Sequence, residues 1–273
     1  TELNEIKFQG GGPVATALVA LSRLGVPVSF CGRVGDDDFG QKIKAGLAEE
    51  NVDCRSLLID NGATSQVAFI AVVEDGHRNI FWHRGTARPV TASEIDNDMI
   101  SQAKVLHLDG LQHEASVAAA RTARECGVVT VLDGGSVREG TDALLPLIDH
   151  LVVSEEFASQ LMPEGSIEEK LGVLLSFGAV AATITFGVKG SWTQERGGQA
   201  FHQAAFKVDV VDTTGCGDVF HGAYIYGLLQ GWKLPRIVET AAVSAALKTR
   251  QLGGRTAIPN LAEIKDMISN KKH

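Results

Sequence analysis

The sequence predicts an α/β protein with a layered sheet, and three observations carry that prediction. Short apolar runs rich in β-branched residues recur between runs of helical period. The two kinds of run alternate through most of the chain, the order that builds a sheet covered by helices. At 273 residues and 44% hydrophobic, the chain can also bury a substantial core.

Gly10-Gly11-Gly12-Pro13 opens a predicted helix over 13 to 24, closed by Gly25. Proline suits a first helical position, because the N–H it lacks has no partner there. A strand at 28 to 31 and a helix at 39 to 49 follow. The runs at 66 to 73 and 78 to 82 flank a turn at Asp75-Gly76, which predicts an antiparallel pair that leaves the main sheet. Strands at 104 to 108, 128 to 132, 150 to 153 and 180 to 185 then alternate with helices at 114 to 126, 155 to 161 and 168 to 176. A strand over 206 to 211 and helices near 216 to 230, 234 to 250 and 260 to 269 complete the chain.

Composition excludes several classes of function. A net charge of -8 and a pI near 5.5 argue against nucleic-acid or anionic-membrane partners. No apolar run reaches membrane-spanning length, and no signal segment opens the sequence. Cys31, Cys54, Cys126 and Cys216 lack zinc-ligand spacing and any disulfide pattern, which suits a reducing cytoplasm. No internal repeat or linker is visible.

The segment Asp212-Thr213-Thr214-Gly215-Cys216-Gly217-Asp218 carries the chemistry. It lies where an extended run passes into a helix, so unpartnered first-turn N–H groups and the helix dipole favour a phosphate there. Gly215 and Gly217 allow close backbone approach, and Asp218 is placed to take a proton from a hydroxyl. The plainer reading of Asp218 is a first-turn dipole or capping residue. The loop is neither a dinucleotide turn, since Phe220 stands where a third glycine is needed, nor a Walker loop, since no Gly-Lys pair exists. At a helix N-terminus the Cys216 thiolate is expected to be stabilised, and the thiol to be more reactive than the other three.

Taken with Gly32-Arg33-Val34-Gly35-Asp36-Asp37-Asp38-Phe39-Gly40 and the glycine-opened helix, this loop resembles the ribokinase, or phosphofructokinase B, family of carbohydrate kinases. Thr183-Ile184-Thr185-Phe186-Gly187-Val188-Lys189-Gly190 and Gly253-Gly254-Arg255-Thr256-Ala257-Ile258-Pro259 extend the resemblance over nearly the whole chain. The segment 206 to 211 and the Gly-Gly-Gly-Pro start are similar to the sulfofructose kinase branch in particular. The resemblance implies a ribokinase-like layered α/β/α core over 10–62 and 85–273. A small β-strand lid over 1–9 and 63–84, and a homodimer through that lid, are implied as well.

The activity implied is ATP-dependent phosphorylation of a primary hydroxyl on a sugar or sugar derivative. Asp218 would be the general base, and Gly215, Cys216 and Gly217 the anion hole. Gly11 and Gly12 would face the sugar, and Thr185, Gly187, Gly190 and Gly254 the nucleotide. Arg84, leaving the lid, could hold an anionic group of the substrate or be a surface residue beside a turn. Asp109, at a strand end on the ligand side of an open sheet, is a further substrate candidate. Glu155 would act on Mg2+ through water, or be a solvated first-turn residue. Asp212 and Thr214 would hold K+, or hydrogen-bond their own turn. The enzyme alternative is a nucleoside kinase of the same fold, and the non-enzyme alternative a catalytically silent sugar-binding relative.

Two departures bear on substrate. The family's sugar-touching Asn is replaced by Ala15 beside Thr16, so contacts must differ from those of a ribose kinase. The resemblance implies a first strand with a sugar-binding Asp before the triple glycine, so either the chain is a fragment or that segment is missing from this numbering, and no residue here takes that role.

Overall fold

The computed structural model describes residues 4–73 and 78–270, so the turn expected at Asp75-Gly76 lies outside the described residues. The chain divides into two compact units. One comprises Thr1–Arg88, Lys207–Tyr226 and Val243–His273, the other Pro89–Phe206 and Gly227–Ala242.

In the first unit, α1 (Pro13–Arg23) starts with proline at its first position and buries Ala15 through Leu21. The strands β1 (Val28–Ser29) and β2 (Gly32–Gly35) lead into α2 (Asp38–Glu49), whose N-terminus is capped by Asp37 accepting from the Gly40 N–H. They are followed by β3 (Val52–Asp53) and β4 (Leu57–Asp60), and β1 pairs with β3 and β2 with β4, all parallel. A separate antiparallel ribbon joins β5 (Val67–Val72) to β6 (Arg78–His83), in register from Val67 opposite His83 to Val72 opposite Arg78. This is the expected departure from βα alternation. Every residue of β6 is exposed.

The second unit is built on one six-stranded sheet. Its elements are α3 (Asn97–Gln102), β7 (Val105–Leu108), α4 (His113–Glu125), β8 (Val129–Gly134), α5 (Thr141–Leu144), β9 (His150–Ser154), α6 (Glu155–Leu161), α7 (Ile167–Ser176), β10 (Ala181–Thr185), β11 (Ser191–Glu195) and β12 (Phe201–Gln203). The order is β12-β11-β10-β9-β8-β7, with β7 through β10 parallel and the last two strands antiparallel. The parallel strands are apolar runs because helices cover them. Leu132, Leu151, Val153 and Ile184 pack there with Ala120, Phe157, Leu171 and Leu174 of the helices.

The remaining helices are α8 (Cys216–Leu229), α9 (Leu234–Lys248) and α10 (Leu261–Asn270). In the first unit the backbone of α8 lies close to α1: a Cβ on Gly222 would stand 2.6 Å from the Ala17 carbonyl oxygen. The expected strand over 206 to 211 does not form a ladder. Val210 and Val211 are exposed, and the segment is fastened by the Val211 and Asp212 N–H groups, which share the Thr249 carbonyl at 2.8 and 3.0 Å. Alternating apolar residues therefore marked a segment fastened at its end and not a strand of a ladder. No described helix is long and apolar enough to cross a membrane.

Candidate active site

Helix α8 begins at Cys216, so Gly217 and Asp218 occupy its first turn, and the Val219 N–H takes up the helical pattern by donating to the Gly215 carbonyl at 3.0 Å. Gly215 makes the turn into it with φ +77, a left-handed conformation that favours glycine. It is also tight, since a Cβ on Gly215 would meet the Gly254 carbonyl oxygen at 2.7 Å. Gly215 and Gly254, from two distant sequence motifs, are thus brought together. Asp218 is half-buried and Gly217 exposed, so the first turn opens to solvent.

Asp212 is 1% exposed and ties this loop to the C-terminal one. One carboxylate oxygen accepts from the Thr214 N–H and the other from the Gly253 N–H, each at 2.8 Å. Burial pushes its pKa up, but contacts from Thr214, the Gly253 amide and the Lys248 charge prevail and hold it below the usual carboxylate value. The carbonyl oxygen of Asp212 accepts from the Lys248 ammonium at 2.9 Å. Lys248 is completely buried, and burial lowers its pKa against the attraction of Asp212.

A potassium ion at Asp212 and Thr214 would have to compete with these donors. The Thr214 hydroxyl, buried without a hydrogen-bond partner, is a cation-ligand type of atom, but Asp212 is committed to two amides and an ammonium. At the Asp212 and Thr214 pair the Lys248 ammonium already stands on the Asp212 carbonyl, where a potassium ion would have to displace it.

The triple-glycine loop is held by Arg255, which is 5% exposed. Its guanidinium donates to the Gly11 carbonyl at 3.0 Å and to the Thr16 hydroxyl at 3.3 Å, and its N–H to the Gln9 side chain at 3.2 Å. Thr16 is thereby engaged within the protein. Burial pushes the Arg255 pKa down to about 10, with Glu50 and Asp218 opposing. Asp218 thus lies within electrostatic reach of the glycine-loop anchor.

The Cys216 thiol behaves opposite to expectation. Burial, the largest influence, raises its pKa, and Asp218 adds to the rise, while Arg78 and Lys248 only partly offset them.

Arg84 lies just after β6 with an exposed side chain. The hairpin residue Arg78 touches the loop before α8, its guanidinium donating to the Thr213 hydroxyl. In the second unit, Asp109 follows β7 and accepts from the Leu111 N–H at 3.0 Å. It lines a small pocket with Asp133, Ser136, Arg138 and Thr141. Thr185 ends β10 and donates to the Val153 carbonyl at 3.3 Å. Gly187 and Gly190 take positive φ around the short helical turn that follows. Glu155 is the exposed first residue of α6, after the capping residue Ser154. No group of three or more His, Cys, Asp or Glu arranged for a metal occurs among the described residues.

Sequence reasoning passed over Lys248, Arg255, Arg78, Asp133 and Arg138. Lys248 reads as an ordinary last-turn cation of α9, and Arg255 as one residue of a loop. Only the meeting of distant segments exposes the contacts of Lys248, Arg255 and Arg78.

The model of the pfkB family carbohydrate kinases matches residues 1–261. The chain belongs to the pfkB family. It is 28% identical to 5-dehydro-2-deoxygluconokinase from Shouchella clausii over 97% of this chain and 87% of that protein. Among solved structures it is similar to a fructokinase from Vibrio cholerae O395 with fructose, ADP and a calcium ion bound. That likeness has a TM-score of 0.81 and 27% identity over 94% of this chain and 90% of the other. A ribokinase from Arabidopsis thaliana, complexed with ribose and ATP, shares the fold at a TM-score of 0.84 and 22% identity, covering 94% of this chain and 87% of that one. The ribokinase-like α/β fold and the assignment as a carbohydrate kinase are thereby established.

Proposed function

We propose that this pfkB-family kinase transfers the γ-phosphoryl group of ATP to a primary hydroxyl of a sugar or sugar derivative, with Asp218 as general base. The observation that carries this reading is the first turn of α8, which holds the Asp218 carboxylate and the Gly217 and Asp218 N–H groups behind the turn at Gly215. The hydroxyl oxygen bonds to the γ-phosphorus as the bond to the bridging oxygen of ADP breaks, and the hydroxyl proton passes to Asp218. Charge growing on the equatorial oxygens is met by the backbone amides of Gly215, Cys216 and Gly217, of which the Cys216 N–H would turn from the Thr213 carbonyl it meets at 3.3 Å, and by the helix dipole. In the first unit Gly11 and Gly12 are the proposed sugar contacts, with Gly11 fixed by Arg255. In the second unit Thr185, Gly187 and Gly190 are the proposed nucleotide contacts.

Mg2+ needs little dedicated protein cage, since it keeps waters and binds substrate phosphates with one or two carboxylates. Exposed Glu155 fits a water-mediated contact of that kind. When bound, the ion neutralises phosphate charge. The β5 and β6 ribbon is the proposed lid, and its exposed Phe69, Phe81 and Trp82 support both closure over substrate and pairing of two copies.

A coupled assay of ADP release, run on the full chain with hexoses, pentoses, sulfosugars and nucleosides, tests the reading. Release with one or more sugars and none with nucleosides is expected. Release with nucleosides alone overturns it.

A further inference from the structure

We propose that the ammonium group of Lys248 is the resident cation of the Asp212 turn, so that the catalytic loop is organised without a potassium ion. The proposal takes 212 to 218 as the catalytic loop, on the reading above, but part of its test needs no substrate.

Lys248 is the last residue of α9, where a lysine usually extends into water beside the final carbonyls. Here it is completely buried and donates outside its own helix, to the Asp212 carbonyl oxygen at 2.9 Å. A backbone carbonyl next to a buried carboxylate is the environment a monovalent cation takes. Ammonium and potassium carry the same charge at similar size, so they compete for one oxygen.

Each carboxylate oxygen of Asp212 already accepts from an amide, one from Thr214 and the other from Gly253, so an incoming ion would have to share it. That arrangement joins the catalytic turn to the loop at 253 to 254, against which Gly215 packs. A buried ammonium without a counter-charge is strongly disfavoured, and so is a buried carboxylate. Each neutralises the other here, and the covalent tether supplies the cation without drawing on solution. The Lys248 charge also reaches Cys216 and Asp218, so it contributes positive potential to the first turn of α8. The Thr214 hydroxyl, buried without a hydrogen-bond partner, is a further oxygen that a solution cation could use once the ammonium is removed.

Thermal unfolding and ADP release are measured for wild type, Lys248→Ala and Lys248→Met in KCl and in choline chloride at equal ionic strength. Wild type is expected to show the same midpoint and the same rate, within about twofold, in both salts, since no site is filled on adding potassium. In choline, Lys248→Ala is expected to lose activity by roughly tenfold to a hundredfold. Potassium or methylammonium is expected to restore much of it and to raise the unfolding midpoint by about 2–4 °C, because a ligand now binds the folded state. Lys248→Met, whose side chain fills the space without charge, is expected to show no such rescue.

A wild-type midpoint or rate raised several-fold or by several degrees by KCl over choline overturns the proposal, and so does full activity of Lys248→Ala in choline. If neither variant folds, the wild-type comparison decides. A potassium-indifferent wild type with a potassium-responsive Lys248→Ala midpoint upholds the proposal even where no sugar is phosphorylated, so the two readings fail separately.

Discussion

The Arg255 guanidinium donates to the Gly11 carbonyl at 3.0 Å, joining the loop proposed to face the sugar to a loop far along the chain. A Cβ on Gly10 would collide with the same guanidinium, so glycine there is a condition of the contact. Arg255→Met keeps length but leaves the Gly11 carbonyl and the Thr16 hydroxyl without this donor. We expect kcat/KM for sugar to fall by about tenfold to a hundredfold, mostly through KM, and stability to fall by roughly 2–4 kcal/mol. Steady-state kinetics and urea unfolding check this, and unchanged KM with unchanged stability would show that the contact is dispensable.

Gly215 is required twice, by its positive φ and by the nearness of Gly254. Gly215→Ala is expected to reduce turnover by at least about tenfold and lower stability by roughly 1–3 kcal/mol. Gly46→Ala is the control, because a Cβ there meets nothing within 4 Å. It lies inside α2, where alanine is the better helix former, and is expected to stabilise by about 0.5–1 kcal/mol. Equal effects of the two substitutions on turnover would contradict the assignment.

Much of this was legible in the sequence, for physical reasons that differ by element. The parallel strands β7 to β10 and helix α1 announce themselves because burial dictates continuous apolar runs and a small-residue face. The turn into α8 is legible because positive φ and close backbone approach restrict Gly215 to one residue type. Residues 206 to 211 were misread because alternation reports exposure on two sides and not pairing. Lys248 and Arg255 were invisible because their partners lie 36 and 244 residues away.

Cys216 should alkylate slowly. Burial lifts its pKa, so at neutral pH the thiolate fraction is smaller than at an ordinary cysteine. Cys126 is exposed and is expected to be labelled first. Mass spectrometry after brief iodoacetamide treatment separates the two, and faster labelling of Cys216 would restore the helix-terminus expectation.

His150, at the start of β9, is held neutral because burial pushes its pKa down to about 4, with Asp149 opposing. Its folded value lies below the ordinary value near 6.5, so the folded state binds fewer protons between the two. The stability this contributes is complete above about pH 6.5 and is lost as pH falls toward about 4. His150→Gln is expected to flatten the fall in unfolding free energy between pH 7 and pH 5. Identical slopes in wild type and variant would remove His150 as the cause.

The proton acceptor is the centre of the account. Asp218→Asn preserves shape at the first turn of α8 and removes the base, and single-turnover ADP formation with ATP and the accepted sugar measures what is lost. The account predicts a rate lower by roughly two to four orders of magnitude with ATP affinity nearly unchanged. A variant that keeps more than about a tenth of the wild-type rate contradicts it.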